Sequence, residues 1–204
     1  MNPSPTPFSI AILAGGQSRR MGRDKALIVL DGQPILQRVI NAVRDLTDDL
    51  FLVTNTPQRY QSFGLPMVPD ILPGKAALGG IYTAIRRARH EWVLVLACDM
   101  PFLDPRAIAL LADHRPGADV VVPRITPQPE TLHAFYRKTC LPAIHKRLTA
   151  NRLKVIGFFE EVSVVYVSAG ALQQVVPTLD FLINRNTPDD LARARQIVAR
   201  RKGI

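Results

Sequence analysis

The run Trp92-Val-Leu-Val-Leu-Ala97 constrains the fold more than any other stretch of this chain. It is apolar at every position. A strand wetted on one face alternates apolar with polar residues, whereas an uninterrupted apolar strand is covered on both faces, as in a sheet flanked by helices. The run ends in Cys98-Asp99-Met100-Pro101, and a helix is expected beyond it, with Asp104 as its cap and Pro105 in its first turn.

The rest of the first half repeats that grammar. Phe8 to Leu13 reads as a buried strand. Ala26 to Leu30 is a short apolar run closed by the turn signal Asp31-Gly32. After Pro34, Ile35, Leu36, Val39, Ile40, Val43 and Leu46 recur at helical spacing. Leu50 to Thr54 is a second strand, ended by Asn55. Gln58 to Phe63 reads as a short helix stopped by Gly64, and Met67-Val68 as a third strand closed by Pro69-Asp70. Gly79-Gly80 leads into a helix through Ile81, Ala84, Ile85 and Ala88. Strands alternating with helices predict a three-layer α/β/α fold with a mostly parallel sheet. In the second half, Asp119 to Pro123, Thr131 to Tyr136 and Val162 to Val167 read as strands. Leu141 to Leu148 reads as a helix, and Thr187-Pro188 as the start of a last one. A single domain over residues 1–204 is expected, with residues 1–7 a disordered, proline-bearing lead-in.

The first strand runs into Leu13-Ala-Gly-Gly-Gln-Ser-Arg-Arg-Met-Gly-Arg-Asp-Lys25, which holds Gly15, Gly16 and Gly22 beside Arg19, Arg20, Arg23 and Lys25. Free amides in a glycine-rich turn form a concave anion cradle, and arginine adds forked hydrogen bonds to phosphate oxygens. The spacing matches neither a P-loop nor a dinucleotide fingerprint. In open parallel sheets, ligands bind beyond the carboxyl ends of the strands. The loop at Leu13, Asn55, Asp70 and Asp99 all fall there, so one rim should gather them.

Asp99 could merely cap the next helix. A carboxylate beside a basic phosphate loop has a second reading, because Mg²⁺ takes one or two carboxylates together with phosphate oxygens. Asp99 and the loop therefore imply a metal–nucleoside triphosphate. Lys25, with Arg19 or Arg20, would offset charge developing on the phosphates. Asp70 is either a turn residue or a carboxylate reading a base edge, and Asn55 is open in the same way. His133, a single histidine in a strand, reads as a satisfied structural residue. Asn184 and Asn186 alternate, which puts both amides on one face of an extended segment. They suit either a polar substrate or turn chemistry.

The net charge of +9 favours anionic partners. No aromatic-rich basic stretch or zinc-finger spacing is present, which disfavours a nucleic-acid module. No apolar run approaches the ~20 residues of a membrane span. The N-terminus lacks the pattern of a secretory signal. Two cysteines, Cys98 and Cys140, form no metal-ligand cluster and fit a reducing cytoplasm.

These residues together resemble the Rossmann-like nucleotidyltransferases and, more narrowly, the molybdenum cofactor guanylyltransferases, over roughly residues 10 to 191. The motifs are LAGGQSRRMGRDK, LGG at Leu78 to Gly80, CDMPF at Cys98 to Phe102, LHAFY at Leu132 to Tyr136 and NRNTPDDL at Asn184 to Leu191. The resemblance implies transfer of GMP from GTP to Mo-molybdopterin, with release of pyrophosphate. It implies a nucleotide contact for the backbone of Leu13, Ala14 and Gly15, phosphate for Lys25, and Mg²⁺ for Asp99. It places Asn55 and Asp70 near the guanosine and Asn184 and Asn186 in the pterin region. It also implies proteins that deliver or receive the cofactor. The family often carries Gly-Pro-Leu where this chain has Ala76-Ala77-Leu78, and Pro-Leu-His at Thr131-Leu132-His133. The rival readings are a transferase using CTP or a sugar phosphate, and a non-catalytic nucleotide- or RNA-binding protein.

Overall fold

A computed structural model describes residues 6–15, 24–176, 178–182, 194, 196 and 197. Nine strands and five α-helices follow in order among them. β1 is Phe8–Leu13, and β2 (Val29–Leu30) and β3 (Gln33–Pro34) form a small antiparallel ribbon. Its two-residue turn uses Asp31 and Gly32, both with positive φ (54° and 76°), the geometry that matches strand twist in a tight hairpin. Then come α1 (Ile35–Val43), β4 (Leu50–Val53), β5 (Met67–Val68), α2 (Ala76–Arg87) and β6 (Trp92–Ala97). The second half holds α3 (Pro105–Asp113), β7 (Val120–Arg124), β8 (His133–Arg137), α4 (Leu141–Thr149), β9 (Val164–Ser168) and α5 (Ala169–Gln173).

Seven strands make one sheet in the order β5-β4-β1-β6-β8-β7-β9. β8 alone runs against its neighbours β6 and β7; the other pairings, β1 with β4 and β6, β4 with β5, and β7 with β9, are parallel. Strand alternation divides the core. Ile10, Ile12, Leu52, Leu94, Leu96 and Phe135 pack with α1 and α3, while Ala11, Phe51, Val53, Val93, Val95 and Tyr136 pack with α2 and α4. Trp92 to Ala97 is buried throughout, as expected of a strand covered on both faces. The three-layer, mostly parallel architecture matches the expectation.

Two expectations need correction. α2 begins at Ala76, so Gly79 and Gly80 lie inside the helix rather than in front of it. Their role is close packing. A Cβ on Gly80 would stand 3.0 Å from Leu13 Cδ1, and one on Gly79 would stand 2.8 Å from Lys75 Cβ and 3.2 Å from the Leu72 carbonyl. Gly80 lets α2 press onto the end of β1, and Gly79 lets it close on the segment just before it. Ala76 itself takes φ 51°, a conformation that costs a residue with a Cβ ~1–2 kcal/mol. That is where the resembled family often carries glycine. The stretch from Gln58 to Phe63 is two 3-10 turns, Pro57–Arg59 and Gln61–Phe63, closed by Gly64 at φ 66°.

Thr6 and Pro7, within the expected lead-in, are among the described residues. Thr6 is held in place, its carbonyl accepting from Arg115 Nη2 at 2.8 Å. The Arg115 guanidinium is buried and lies over the rings of Phe8, Trp92 and Phe135 at 5.2, 5.9 and 5.2 Å. These rings stabilise a cation withdrawn from water.

His133 is fully buried, as a structural residue would be, but it is not satisfied. Neither ring nitrogen has a hydrogen-bond partner among the described residues, and the ring packs on Phe181 at 5.2 Å. Burial lowers its pKa to about 3, so the native state holds it neutral. An unfolded histidine binds a proton below ~6.5, so stability should fall as pH drops through that value and keep falling towards 3. Between pH 7.5 and 5 this one group should remove about 2 kcal/mol. Urea unfolding at the two pH values should show that loss in the wild type and its disappearance in His133→Leu; an equal acid loss in both proteins would contradict the assignment.

Candidate active site

The register aligns the carboxyl ends of four strands. Leu13 of β1 pairs with Val53 of β4 and with Ala97 of β6, and Val53 pairs with Val68 of β5. The residues after these strands therefore share one rim. β1 is flanked by β4, reached first along the chain, and by β6, reached later. This reversal of strand order is where open α/β sheets leave a crevice. β8 runs the other way, so its first residue, His133, lies beside Leu96 at the same edge.

On the β1 side, the Ala14 N–H donates to the Val53 carbonyl at 2.9 Å. Ala14 is therefore still part of the ladder, and its amide is committed to the sheet rather than to a ligand. Gly15 follows, exposed at the rim and outside the left-handed region. A Cβ added there would meet Thr54 and Asn55 only at 3.9–4.0 Å. Neither the backbone nor the described residues around it require glycine at this position. What a methyl group would occupy is the space over the strand ends.

Lys25 opens a 3-10 turn, Lys25–Leu27, capped by Asp24, whose Oδ1 accepts from the Ala26 N–H at 3.1 Å. Its ammonium stands 3.8 Å from Oδ2 of Asp99, which follows β6 by two residues. Both side chains are mostly withdrawn from solvent, at 19% and 15% exposure. Two residues 74 positions apart in the chain are thus brought into one ion pair at the crevice. Cys98 sits between β6 and Asp99, and burial, followed by the charges of Asp99 and Asp24, pushes its thiol pKa far up. The thiol therefore stays protonated and is a poor nucleophile.

Asn55 and Asp70 form a closed pair. The Asn55 side-chain amide donates to Asp70 Oδ2 at 2.8 Å, and the Asp70 backbone N–H donates to Asn55 Oδ1 at 2.9 Å. The other carboxylate oxygen, Asp70 Oδ1, is buried without a hydrogen-bond partner among the described residues. A buried acceptor left unmet is costly, and it is a natural place for a ligand donor.

Sequence reasoning passed over Asp24 and Tyr60. The Tyr60 hydroxyl donates to Asp24 Oδ2 at 2.6 Å, and Arg59 Nη1 stands 3.6 Å from the same oxygen. Asp24 carried a signal, since aspartate just before a turn is a favoured cap. Tyr60 carried none. Arg19, Asn184 and Asn186 lie outside the described residues. The structure brings together Leu13, Ala14, Gly15, Lys25, Asn55, Asp70 and Asp99 on one rim.

The donor set fits a magnesium ion. Among the described residues no group of three or more His, Cys, Asp or Glu side chains could hold a metal. Mg²⁺ does not need one, because it binds through one or two carboxylates and completes its shell with phosphate oxygens and water. Asp99 is placed to be that carboxylate. Asp24 is committed to its cap and to Tyr60.

A model of the MobA-like NTP transferase domain matches residues 10–180. A protein of Pelotomaculum thermopropionicum named "Probable molybdenum cofactor guanylyltransferase" is 37% identical over 184 residues, 90% of each chain. The protein of Desulfosudis oleivorans named molybdenum cofactor guanylyltransferase is 33% identical over 189 residues, 92% of this chain and 94% of its own. Among solved structures, the molybdopterin-guanine dinucleotide biosynthesis protein A of Archaeoglobus fulgidus superposes with a TM-score of 0.83 at 26% identity, covering 95% of this chain and all of that one. The 2-C-methyl-D-erythritol 4-phosphate cytidylyltransferase of Thermus thermophilus, at 17% identity and a TM-score of 0.69, covers 94% of this chain and 98% of its own and shares the fold. The chain therefore belongs to the MobA-like NTP transferase family, among the molybdenum cofactor guanylyltransferases.

Proposed function

We propose that the protein transfers GMP from GTP to Mo-molybdopterin. The terminal phosphate oxygen of molybdopterin attacks the α-phosphorus of GTP. A new P–O bond forms, the bond from the α-phosphorus to the bridging oxygen of the β-phosphate breaks, and pyrophosphate leaves with that electron pair. The nucleophile is already an anion, so no general base is required. Catalysis is positioning and charge stabilisation. The observation that carries this reading is the Lys25–Asp99 pair at 3.8 Å, set where the ends of β1 and β6 align.

In this reading Asp99 would hold Mg²⁺, which would supply charge neutralisation to the triphosphate. Lys25, with Arg19, would stabilise charge as pyrophosphate departs. Before the nucleotide arrives, Lys25 and Asp99 compensate each other. The backbone of Leu13, Ala14 and Gly15 forms the floor under the nucleotide, with Gly15 admitting it closely. Asn184 and Asn186 take the pterin side.

Asp70 reads the base. Guanine presents two adjacent N–H donors, enough to engage both oxygens of a carboxylate. Cytosine presents one donor beside two acceptors and would leave a carboxylate oxygen facing an acceptor. The unmet Oδ1 of Asp70 takes one guanine N–H, and Oδ2, which accepts one bond from Asn55 and keeps a second lone pair, takes the other. Titration calorimetry with GTP and CTP in Mg²⁺ tests this: GTP should bind at least ~10-fold more tightly, and equal or tighter binding of CTP would remove Asp70 from base selection.

Among the described residues no helix is long and apolar enough to cross a membrane, and both cysteines are free thiols. We place the reaction in the cytoplasm, with proteins that deliver molybdopterin or receive the dinucleotide as further partners.

A further inference from the structure

Lys25 stands on a weak element. A three-residue 3-10 turn has poor hydrogen-bond geometry and little stability of its own, yet the proposed chemistry needs its ammonium held in place. The turn's internal bonds are few: the Leu27 N–H donates to the Asp24 carbonyl at 3.1 Å and the Ile28 N–H to the Lys25 carbonyl at 3.3 Å. Ala26 is buried in the core and the Ile28 carbonyl accepts from the Ile35 N–H at 2.9 Å, and Asp24 supplies the side-chain tie. One carboxylate oxygen caps Ala26 at 3.1 Å, and the other receives the Tyr60 hydroxyl at 2.6 Å and lies 3.6 Å from Arg59.

Tyr60 is a firm anchor for this contact. It is 2% exposed, its N–H donates to the Pro57 carbonyl at 2.9 Å, and its own carbonyl accepts from Phe63 at 3.1 Å. Its ring packs against Phe63. Burial, followed by the neighbouring Asp24 carboxylate, drives the phenol pKa well above its ordinary value, so the hydroxyl remains a donor throughout the physiological range. A hydrogen bond from a hydroxyl to a carboxylate is of the strong, charge-assisted kind.

The identity of the cap also follows. Serine or threonine would cap Ala26 equally well, but has one side-chain oxygen and a shorter reach. Aspartate has two oxygens and can cap the turn with one while being held by Tyr60 with the other. Its negative charge would be unwelcome beside a triphosphate. The tyrosine and arginine donors absorb that charge on the side away from Ala26.

We propose that Tyr60 is a positioning residue that acts through Asp24 to hold Lys25 against the phosphates, latching the end of the glycine loop to the segment after β4. The latch thereby links Lys25, the proposed phosphate contact, to the same connection that begins with Asn55. The catalytic part of this inference rests on the guanylyl transfer proposed above, while the latch itself is a property of the protein without substrate.

Tyr60→Phe removes one hydroxyl and keeps the ring, and hydrogen exchange followed by mass spectrometry reads the latch directly. The amides of Ala26, Leu27 and Ile28 should exchange at least ~10-fold faster, with β1 and β6 unchanged. Pyrophosphate release should show a kcat lowered about 10-fold with the KM for GTP within threefold, the mark of a lost transition-state contact. In a Lys25→Ala background, adding Tyr60→Phe should change kcat by less than about twofold, because residues acting as one unit are not additive. Unchanged exchange at residues 26–28 overturns the latch, and effects of Tyr60 and Lys25 that multiply overturn its action through Lys25. Faster exchange in a protein whose wild type releases no pyrophosphate from GTP would support the latch and overturn the guanylyl reading instead. Asp24→Asn, which keeps the cap acceptor and loses the acceptor for Tyr60, should give the same exchange result; slow exchange in this variant counts against the latch.

Discussion

Asp99→Ala should lower pyrophosphate release by at least ~10³-fold while the protein keeps its fold. The carboxylate lies two residues beyond β6 at the crevice and faces Lys25 at 3.8 Å. In the proposed reaction it is the group that lets a triphosphate approach this end of the sheet with its metal. Without it, the metal would lose its protein anchor. The structural cost is small by comparison. Asp99 lies two residues beyond β6, outside the strand pairing, so losing its side chain leaves the sheet ladder intact. A thermal melt beside a coupled pyrophosphate assay separates the two effects. A folded variant turning over within tenfold of the wild type would exclude Asp99 from the mechanism.

Lys25→Ala should act on turnover more than on binding. As pyrophosphate departs, negative charge grows on the leaving oxygens, and a fixed cation stabilises that state more than the bound substrate. Removing one such preorganised group costs ~10²–10³-fold in kcat, with a smaller change in the KM for GTP. Steady-state kinetics with GTP and molybdopterin varied separately distinguishes the outcomes. A defect confined to the KM for molybdopterin would contradict the placement of Lys25 on the nucleotide side.

The central sheet was legible because its strands carry their signal locally. Trp92 to Ala97 is apolar at every position, Phe8 to Leu13 and Leu50 to Val53 are short apolar runs with turn residues behind them, and the alternation with helices leaves little choice of architecture. The rim followed from that, since parallel strands place their carboxyl ends together. The direction of β8 was not legible: an apolar strand reads the same in either direction, and only its pairing with Leu96 and Val121 reveals the reversal. Gly79 and Gly80 look like a helix lead-in locally, yet they answer to Leu13 and Leu72 in space.

The site divides along the same line. Lys25 and Asp99 could be named because each sits at a recognisable place in its own segment. The Asn55–Asp70 pair was left open, because nothing in either stretch shows that the two side chains close on each other. Tyr60 was missed because its role lies in a contact with a residue 36 positions earlier. His133 was read correctly as a structural residue, but its unmet nitrogens depend on what surrounds it rather than on its strand.

The most direct test of the account is pyrophosphate release by the wild-type protein given Mg²⁺, Mo-molybdopterin and either GTP or CTP. Release with GTP should be at least ~100-fold faster than with CTP, dependent on molybdopterin and accompanied by the guanine dinucleotide product. Equal or faster release with CTP, or release that does not require molybdopterin, would contradict it.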